Sequence, residues 1–217
     1  MKKTLFTAVY LLSCLLLRGQ TLAVFGDSYV ANHRAPKEET WHAKWAVRHG
    51  YAYQNVGRNG GCVAFDRTRE RFGPAMTVRY AQLSPEADIV LIIAGHNDAD
   101  KCGRNKDSLR MFRDSLAVVI DRIRLQCPHS RVGYVTPWAV DRPGFEGIHR
   151  AILKVCRKKK VPVLDNFRND CPVHVLDAEF RRRYFQAPQD KAHLNAAGHN
   201  LYLPYAERWM DTWVTKE

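Results

Sequence analysis

The chain has 217 residues, 46% of them apolar and 11% aromatic, enough for one domain of ordinary size with a substantial core. No repeat period, low-complexity segment or linker-like stretch divides it, which leaves a single domain. The formal net charge of +12 favours anionic surfaces or polyanionic substrates by long-range steering, and the absence of any nucleic-acid recognition motif excludes nucleic acid as the partner.

The N-terminus stands apart. Lys2 and Lys3 precede an apolar stretch from Leu5 to Leu17, 13 residues long, and no acidic residue occurs before Asp27. A membrane span needs ~18–20 such residues, so the pattern reads as an export signal over residues 1–20, with residues 21–217 as the mature domain and no membrane span. Removing Lys2, Lys3 and Arg18 leaves 31 basic against 22 acidic residues, a net +9. Leu11-Leu12-Ser13-Cys14 loosely resembles a lipoprotein processing box, which makes a lipid anchor on Cys14 the alternative to free export. Five further cysteines follow, Cys62, Cys102, Cys127, Cys156 and Cys171, an odd number that leaves at least one thiol unpaired or paired between chains. None has structural-zinc spacing, and Cys127 and Cys156 read as small buried hydrophobes on helices.

Thr21 to Val30 begins as a short apolar run and stops abruptly at Gly26-Asp27-Ser28, as a buried strand does when it turns into a helix. Ser28 would then sit in the first helical turn, where free N–H groups and the helix dipole favour developing negative charge. A polar loop from His33 to Glu39 leads to a helix capped by Thr40 and stopped at Gly50. A short strand from Ala52 to Asn55 runs into the permissive loop Gly57-Arg58-Asn59-Gly60-Gly61, and a weak helix spans Pro74 to Gln82. Ile89 to Ala94 is continuous and β-branched, suited to burial on both sheet faces, and it ends in a turn at Gly95-His96-Asn97-Asp98.

Asp107 to Gln126 has Leu109, Phe112, Leu116, Val119, Ile120 and Ile123 at helical steps. Arg131 to Thr136 is the next strand, Gly147 to Lys160 a helix and Val161 to Asp165 a strand. Asp177 to Phe185 and Ala196 to Trp213 are helices. Strands alternating with helices predict a three-layer α/β/α sandwich around a central parallel sheet, with the active crevice beyond the carboxyl ends of the strands.

Just before the last helix comes Asp190-Lys191-Ala192-His193. An Asp three residues before a His can bind the imidazole Nδ1 and leave Nε2 free to take a proton from a serine hydroxyl. Alone, each of these pieces is an ordinary turn. Together, Gly26-Asp27-Ser28, Asn55-x-Gly57-x-x-Gly60, Gly95-x-Asn97-Asp98 and Asp190-x-x-His193 occur in an order that resembles the SGNH hydrolases, also called the GDSL esterase/lipase family, from Thr21 to the last helix.

The resemblance implies the flavodoxin-like sandwich of that family and an exported serine esterase with no cofactor and no metal. By it, Ser28 is the nucleophile, His193 the general base and Asp190 its orienting acid. The oxyanion hole comprises the Ser28 and Gly60 backbone N–H groups and the Asn97 amide. Asp27 and Asp98 brace loops, and His96 and His199 are structural or peripheral. His33, His42 and His49 show no metal-ligand arrangement. The substrate is a small-molecule or glycan ester, with short acyl groups favoured because no lid-like apolar segment follows Ser28, and acetyl esters of carbohydrate foremost. Lipid esters, acyl transfer to a sugar hydroxyl, and a silent glycan-binding role on the same scaffold are the alternatives. If the Gly60 and Asn97 loops meet, Cys62 and Cys102 could form a disulfide, and Arg58, Lys101 and Arg104 could bind an anionic group of the substrate.

Overall fold

A computed structural model describes residues 19–214. Of the expected export signal, residues 1–18 lie outside the described residues, and so does Cys14 with its alternative lipid anchor. In chain order the elements are β1 (Thr21–Gly26), α1 (Ser28–Ala31), α2 (Trp41–Arg48), β2 (Ala52–Gly57), α3 (Met76–Arg79), β3 (Ile89–Ile93), α4 (His96–Cys102), α5 (Lys106–Gln126), β4 (Arg131–Val135), α6 (Phe145–Lys159), β5 (Val163–Leu164), α7 (Ala178–Tyr184) and α8 (Ala196–Val214). Among the described residues no helix is long and apolar enough to cross a membrane.

The five strands form one parallel sheet in the order β2-β1-β3-β4-β5, flanked by helices, as the alternating pattern predicts. β3 is buried along its whole length, which is why its sequence shows no polar alternation. Helix α5 turns Phe112, Leu116, Val119, Ile120 and Ile123 inward. At ~2 kcal/mol for each fully buried side chain, that stripe contributes on the order of 10 kcal/mol before chain entropy is charged against it. Asn105 caps the helix by accepting from Ser108 N at 2.9 Å.

The strand order reverses at β1, with β2 on one side and β3 on the other, and such a switch point opens a crevice at the carboxyl ends of the strands. Gly26 stands level with Gly57 on β2 and Ile93 on β3. The sheet is so tight there that a Cβ on residue 26 would overlap the Ile93 carbonyl oxygen, so only glycine fits.

Several element boundaries differ from the sequence reading. The Gly95–Asp98 turn continues into α4, because Gly95 reverses the chain at φ 114° and Asp98 lies in the first helical turn, where a carboxylate is favourable. The weak helix at Pro74–Gln82 is split into α3 and a 3-10 turn at Tyr80–Gln82. β5 is only two residues long, since Pro162 before it has no N–H to donate. Helix α6 starts two residues early, anchored by the buried Phe145.

The expected Cys62–Cys102 disulfide is not formed: all five described cysteines are buried free thiols. The two loops are tied instead by Asp98, whose carboxylate accepts from Val63 N at 2.9 Å and Ala64 N at 3.0 Å. With that bridge in place, the junction needs no covalent link.

Candidate active site

Ser28 opens α1 at the end of β1 and is 7% exposed. Asp27 caps the short helix, its Oδ1 accepting from Tyr29 N at 2.9 Å. The helix stops after four residues because Asn32 turns left-handed at φ 61° and returns its N–H to Ser28 O. Before α8, Asp190 Oδ1 accepts from Ala192 N at 2.8 Å and His193 N at 3.0 Å, a local turn that follows from the Asp-x-x-His spacing. Asp190 Oδ2 then accepts from His193 Nδ1 at 2.8 Å. Across 165 residues of sequence, His193 Nε2 meets Ser28 Oγ at 2.8 Å.

Because the ionised carboxylate can only accept, the Nδ1 proton is directed at Asp190 and Nε2 is left to accept from the hydroxyl. Burial pushes the Asp190 carboxyl up, but the His193 bond and the two backbone N–H groups outweigh it and hold the carboxyl below its ordinary value. The relay is competent for base-assisted attack by a hydroxyl on an electrophilic carbonyl.

The three expected donors follow the carboxyl ends of β1, β2 and β3. Among the described residues, no protein acceptor takes the Ser28 or the Gly60 N–H. Asn97 Nδ2 donates to Gly61 O at 3.0 Å, which uses one of its two protons. Among the described residues no three His, Cys, Asp or Glu side chains gather as a metal site.

Sequence reasoning missed the walls of the crevice. The His33 ring stacks on His193, with centroids 4.2 Å apart and planes at 14°. The Tyr29 ring packs against both Trp138, at 5.3 Å, and His96, at 5.6 Å. Arg142 donates to His96 Nε2 at 2.8 Å, so the His96 proton sits on Nδ1, facing the Tyr29 hydroxyl at 3.0 Å. Burial, then the Arg142 charge, lowers His96 to about 3 and keeps it neutral. His199 is also buried, takes Trp41 N on Nδ1 and donates from Nε2 to Asn32 Oδ1 at 3.1 Å, so it holds the loop after α1. No periodicity or spacing signals these contacts.

Of the three cations expected at the substrate, Arg58 and Lys101 are taken up by other partners. Arg58 Nε donates to Phe72 O at 2.6 Å, and Lys101 Nζ to Glu70 Oε1 at 2.8 Å. Arg104 lines a groove of about 790 Å³ together with Lys106, Arg142 and Arg150. None of the three touches Ser28, His193 or Asp190, because loop partners distant in sequence reach Arg58 and Lys101 first.

Two buried carboxyls lie under the crevice. Burial pushes Asp27 up to about 7, with the Tyr29 N–H opposing and Asp98 adding to the rise. Burial likewise raises Asp98 to about 6 against the Ala64 and Val63 N–H groups. Asp27 Oδ2 is buried with no hydrogen-bond partner among the described residues. Between about pH 4 and 7 the unfolded chain has released the Asp27 proton while the folded chain keeps it, so stability falls as pH rises through that interval. Asp27→Asn keeps the cap acceptor and removes the charge. It is expected to flatten the decline by roughly 2–4 kcal/mol, leaving the part due to Asp98. Urea melts of both proteins at pH 4.5 and 7.5 test this; equal slopes would refute it.

Residues 24–201 match the GDSL-like lipase/acylhydrolase family. The chain belongs to that family. Its fold is correspondingly shared with solved structures. A protein from Lactobacillus plantarum is 19% identical with a TM-score of 0.74, over 91% of this chain and 99% of that one. A candidate GDSL-like lipase from Bacteroides ovatus is 14% identical with a TM-score of 0.64, over 90% and 99%. A family two carbohydrate esterase from Clostridium thermocellum, solved with cellohexaose, is 12% identical with a TM-score of 0.65, over 90% of this chain and 64% of that one. A comparison with curated protein sequences finds no match. As a GDSL-like family member the chain is an ester hydrolase in its broad class, and the resemblance read from its four motifs is borne out.

Proposed function

We propose that this GDSL-family protein is an exported serine esterase that removes short acyl groups, acetyl foremost, from carbohydrate. The observation that carries the reading is the continuous relay Asp190–His193–Ser28, both bonds 2.8 Å long. Ser28 Oγ attacks the ester carbonyl while its proton passes to His193 Nε2. The carbonyl oxygen takes up negative charge opposite the Ser28 and Gly60 N–H groups and the Asn97 amide. Collapse breaks the ester C–O bond, the alcohol leaves with the proton from His193, and the acyl group remains on Ser28. Water then gives a proton to His193 and attacks the acyl-enzyme, and the carboxylic acid is released as Ser28 recovers its proton.

The Tyr29, His96 and Trp138 rings support a short acyl group, because they pack together beside the nucleophile. The enclosed cavity that touches Ser28 has only about 10 Å³. A carbohydrate leaving group is supported by the fold shared with a carbohydrate esterase. The basic groove supports an anionic one. Among the described residues Arg104 and Lys106 there have no ion-pair partner, whereas Arg142 pairs with Asp100 at 3.1 Å and Arg150 with Glu146 at 2.9 Å.

A series of 4-nitrophenyl esters is expected to be cleaved fastest at acetyl, falling about tenfold or more by octanoyl. Acetylated acidic oligosaccharides are expected to outcompete neutral ones at low salt. Preference for long chains would turn the reading toward lipid esters. Acyl transfer in place of hydrolysis when a sugar acceptor is added would turn it toward a transferase.

A further inference from the structure

The turn that carries Gly60 is held by a short flap, residues 67–73, which takes no part in the Ser28–His193–Asp190 relay. The flap closes on itself through Arg67 N to Gly73 O at 2.9 Å and Phe72 N to Arg67 O at 3.1 Å. From it the Arg67 guanidinium donates through Nη1 to Gly60 O at 2.7 Å. Its Nε and Nη2 both donate to Glu70 Oε2, at 3.1 and 2.6 Å. The other Glu70 oxygen accepts from Lys101 at 2.8 Å. The guanidinium also lies 4.3 Å from the centre of the Phe72 ring, and that ring fills the space a Gly60 Cβ would need. Arg58 ties the flap back to the turn through Phe72 O.

The turn needs holding because of its type. Gly61 N donates to Arg58 O at 3.0 Å, closing a four-residue turn in which Gly60, at φ +69°, is alone in having positive φ. That is the pattern of a type II turn, with glycine at its third position. The type I alternative differs by a rotation of the central peptide, which would point the Gly60 N–H the other way. Glycine tolerates both conformations, so sequence alone leaves the donor free to flip. The two carbonyls that follow the donor are pinned, Gly60 O by Arg67 and Gly61 O by Asn97. The Arg67 bond is charge-assisted and therefore the stronger kind.

The geometry points to Arg67 as a positioning residue: the flap latches the Gly60 turn so that its N–H stays aimed at the oxyanion. This rests on the esterase reading above. Arg67 touches no reacting atom and acts through Gly60. The latch also accounts for Arg58 and Lys101, which steady the flap and Glu70 and so are drawn away from substrate.

Arg67→Met is the test, with the concentration of active sites titrated by a fluorophosphonate probe. The expected result is a kcat lowered about 10–100-fold with KM within about twofold of wild type. Binding of a phenylboronic acid, which forms a tetrahedral adduct on a serine hydroxyl, weakens by a similar factor. The pH profile keeps its shape, since the relay is intact. A kcat per active site equal to wild type overturns the proposal. Should Arg67→Met fail to fold, Glu70→Gln at the exposed end of the latch is expected to lower kcat about 2–5-fold, and an unchanged kcat there overturns it equally. A folded wild type without esterase activity counts against the esterase reading instead. The latch is then judged by the Gly60 amide resonance, which must move in the folded Glu70→Gln or Arg67→Met variant; an unmoved resonance overturns it.

Discussion

Ser28→Ala is expected to lower the hydrolysis of 4-nitrophenyl acetate by about 10⁴-fold or more and to abolish labelling by a fluorophosphonate, with the fold intact. The hydroxyl is the group in the crevice that sits in reach of His193 Nε2, at 2.8 Å, at the start of a helix where developing charge is favourable. Removing it leaves the donors and the crevice in place, so a small residual rate from oxyanion stabilisation alone is consistent with the reading. The change in stability is expected to be within about 1 kcal/mol, because one part-buried hydrogen bond is lost and no cavity larger than an oxygen is made. Circular dichroism and a thermal melt check that point beside the kinetics. A variant that keeps wild-type turnover would remove Ser28 from the mechanism, whatever the relay looks like.

The second large effect is expected at Asn97. Asn97→Ala removes the amide donor and leaves Gly61 O without its partner at 3.0 Å. Loss of one oxyanion donor costs about 10²–10³ in kcat, and KM is expected to stay within about threefold because the ground-state carbonyl makes the weaker bond. Asn97→Asp has the same shape with the wrong charge, facing both Gly61 O and the oxyanion, and is expected to be at least as slow. The loop itself is expected to survive both changes, since Asp98 independently holds Val63 N and Ala64 N. Steady-state kinetics with melting temperatures for both variants decide it. A loss seen only in KM would mean that Asn97 binds substrate without stabilising the oxyanion.

The expected consequences at Ser28, Asn97 and Arg67 differ in kind, and they follow from how each residue meets the substrate. In the proposed mechanism Ser28 forms and breaks bonds, Asn97 meets charge that exists only in the transition state, and Arg67 sets the direction of another donor. Measured together, they separate a failed fold, a failed relay and a loosened oxyanion site.

The sequence by itself determined the features that depend on neighbouring residues. The apolar run of β1, the sharp Gly26-Asp27-Ser28 turn and the cap on α1 are all written within ten positions. The bond between Asp190 and His193 is equally local, because a spacing of three in a turn brings the carboxylate to the ring. The continuous apolar β3 and the striped α5 likewise announce their burial. The meeting of His193 with Ser28 was legible only because four motifs in one order resemble a known family.

Tertiary structure decided what depends on partners far away in sequence. Arg58 and Lys101 look like free cations until the 67–73 flap supplies Phe72 O and Glu70. Cys62 and Cys102 look like a pair until Asp98 makes the bridge. The His33 stack on His193 arises where two loops 160 residues apart close over one strand end. Backbone preference and apolar periodicity are properties of a residue and its near neighbours, so sequence carries them. The partner of a long charged side chain, or the face a ring lies on, is chosen by whichever distant group the fold brings within a few ångströms.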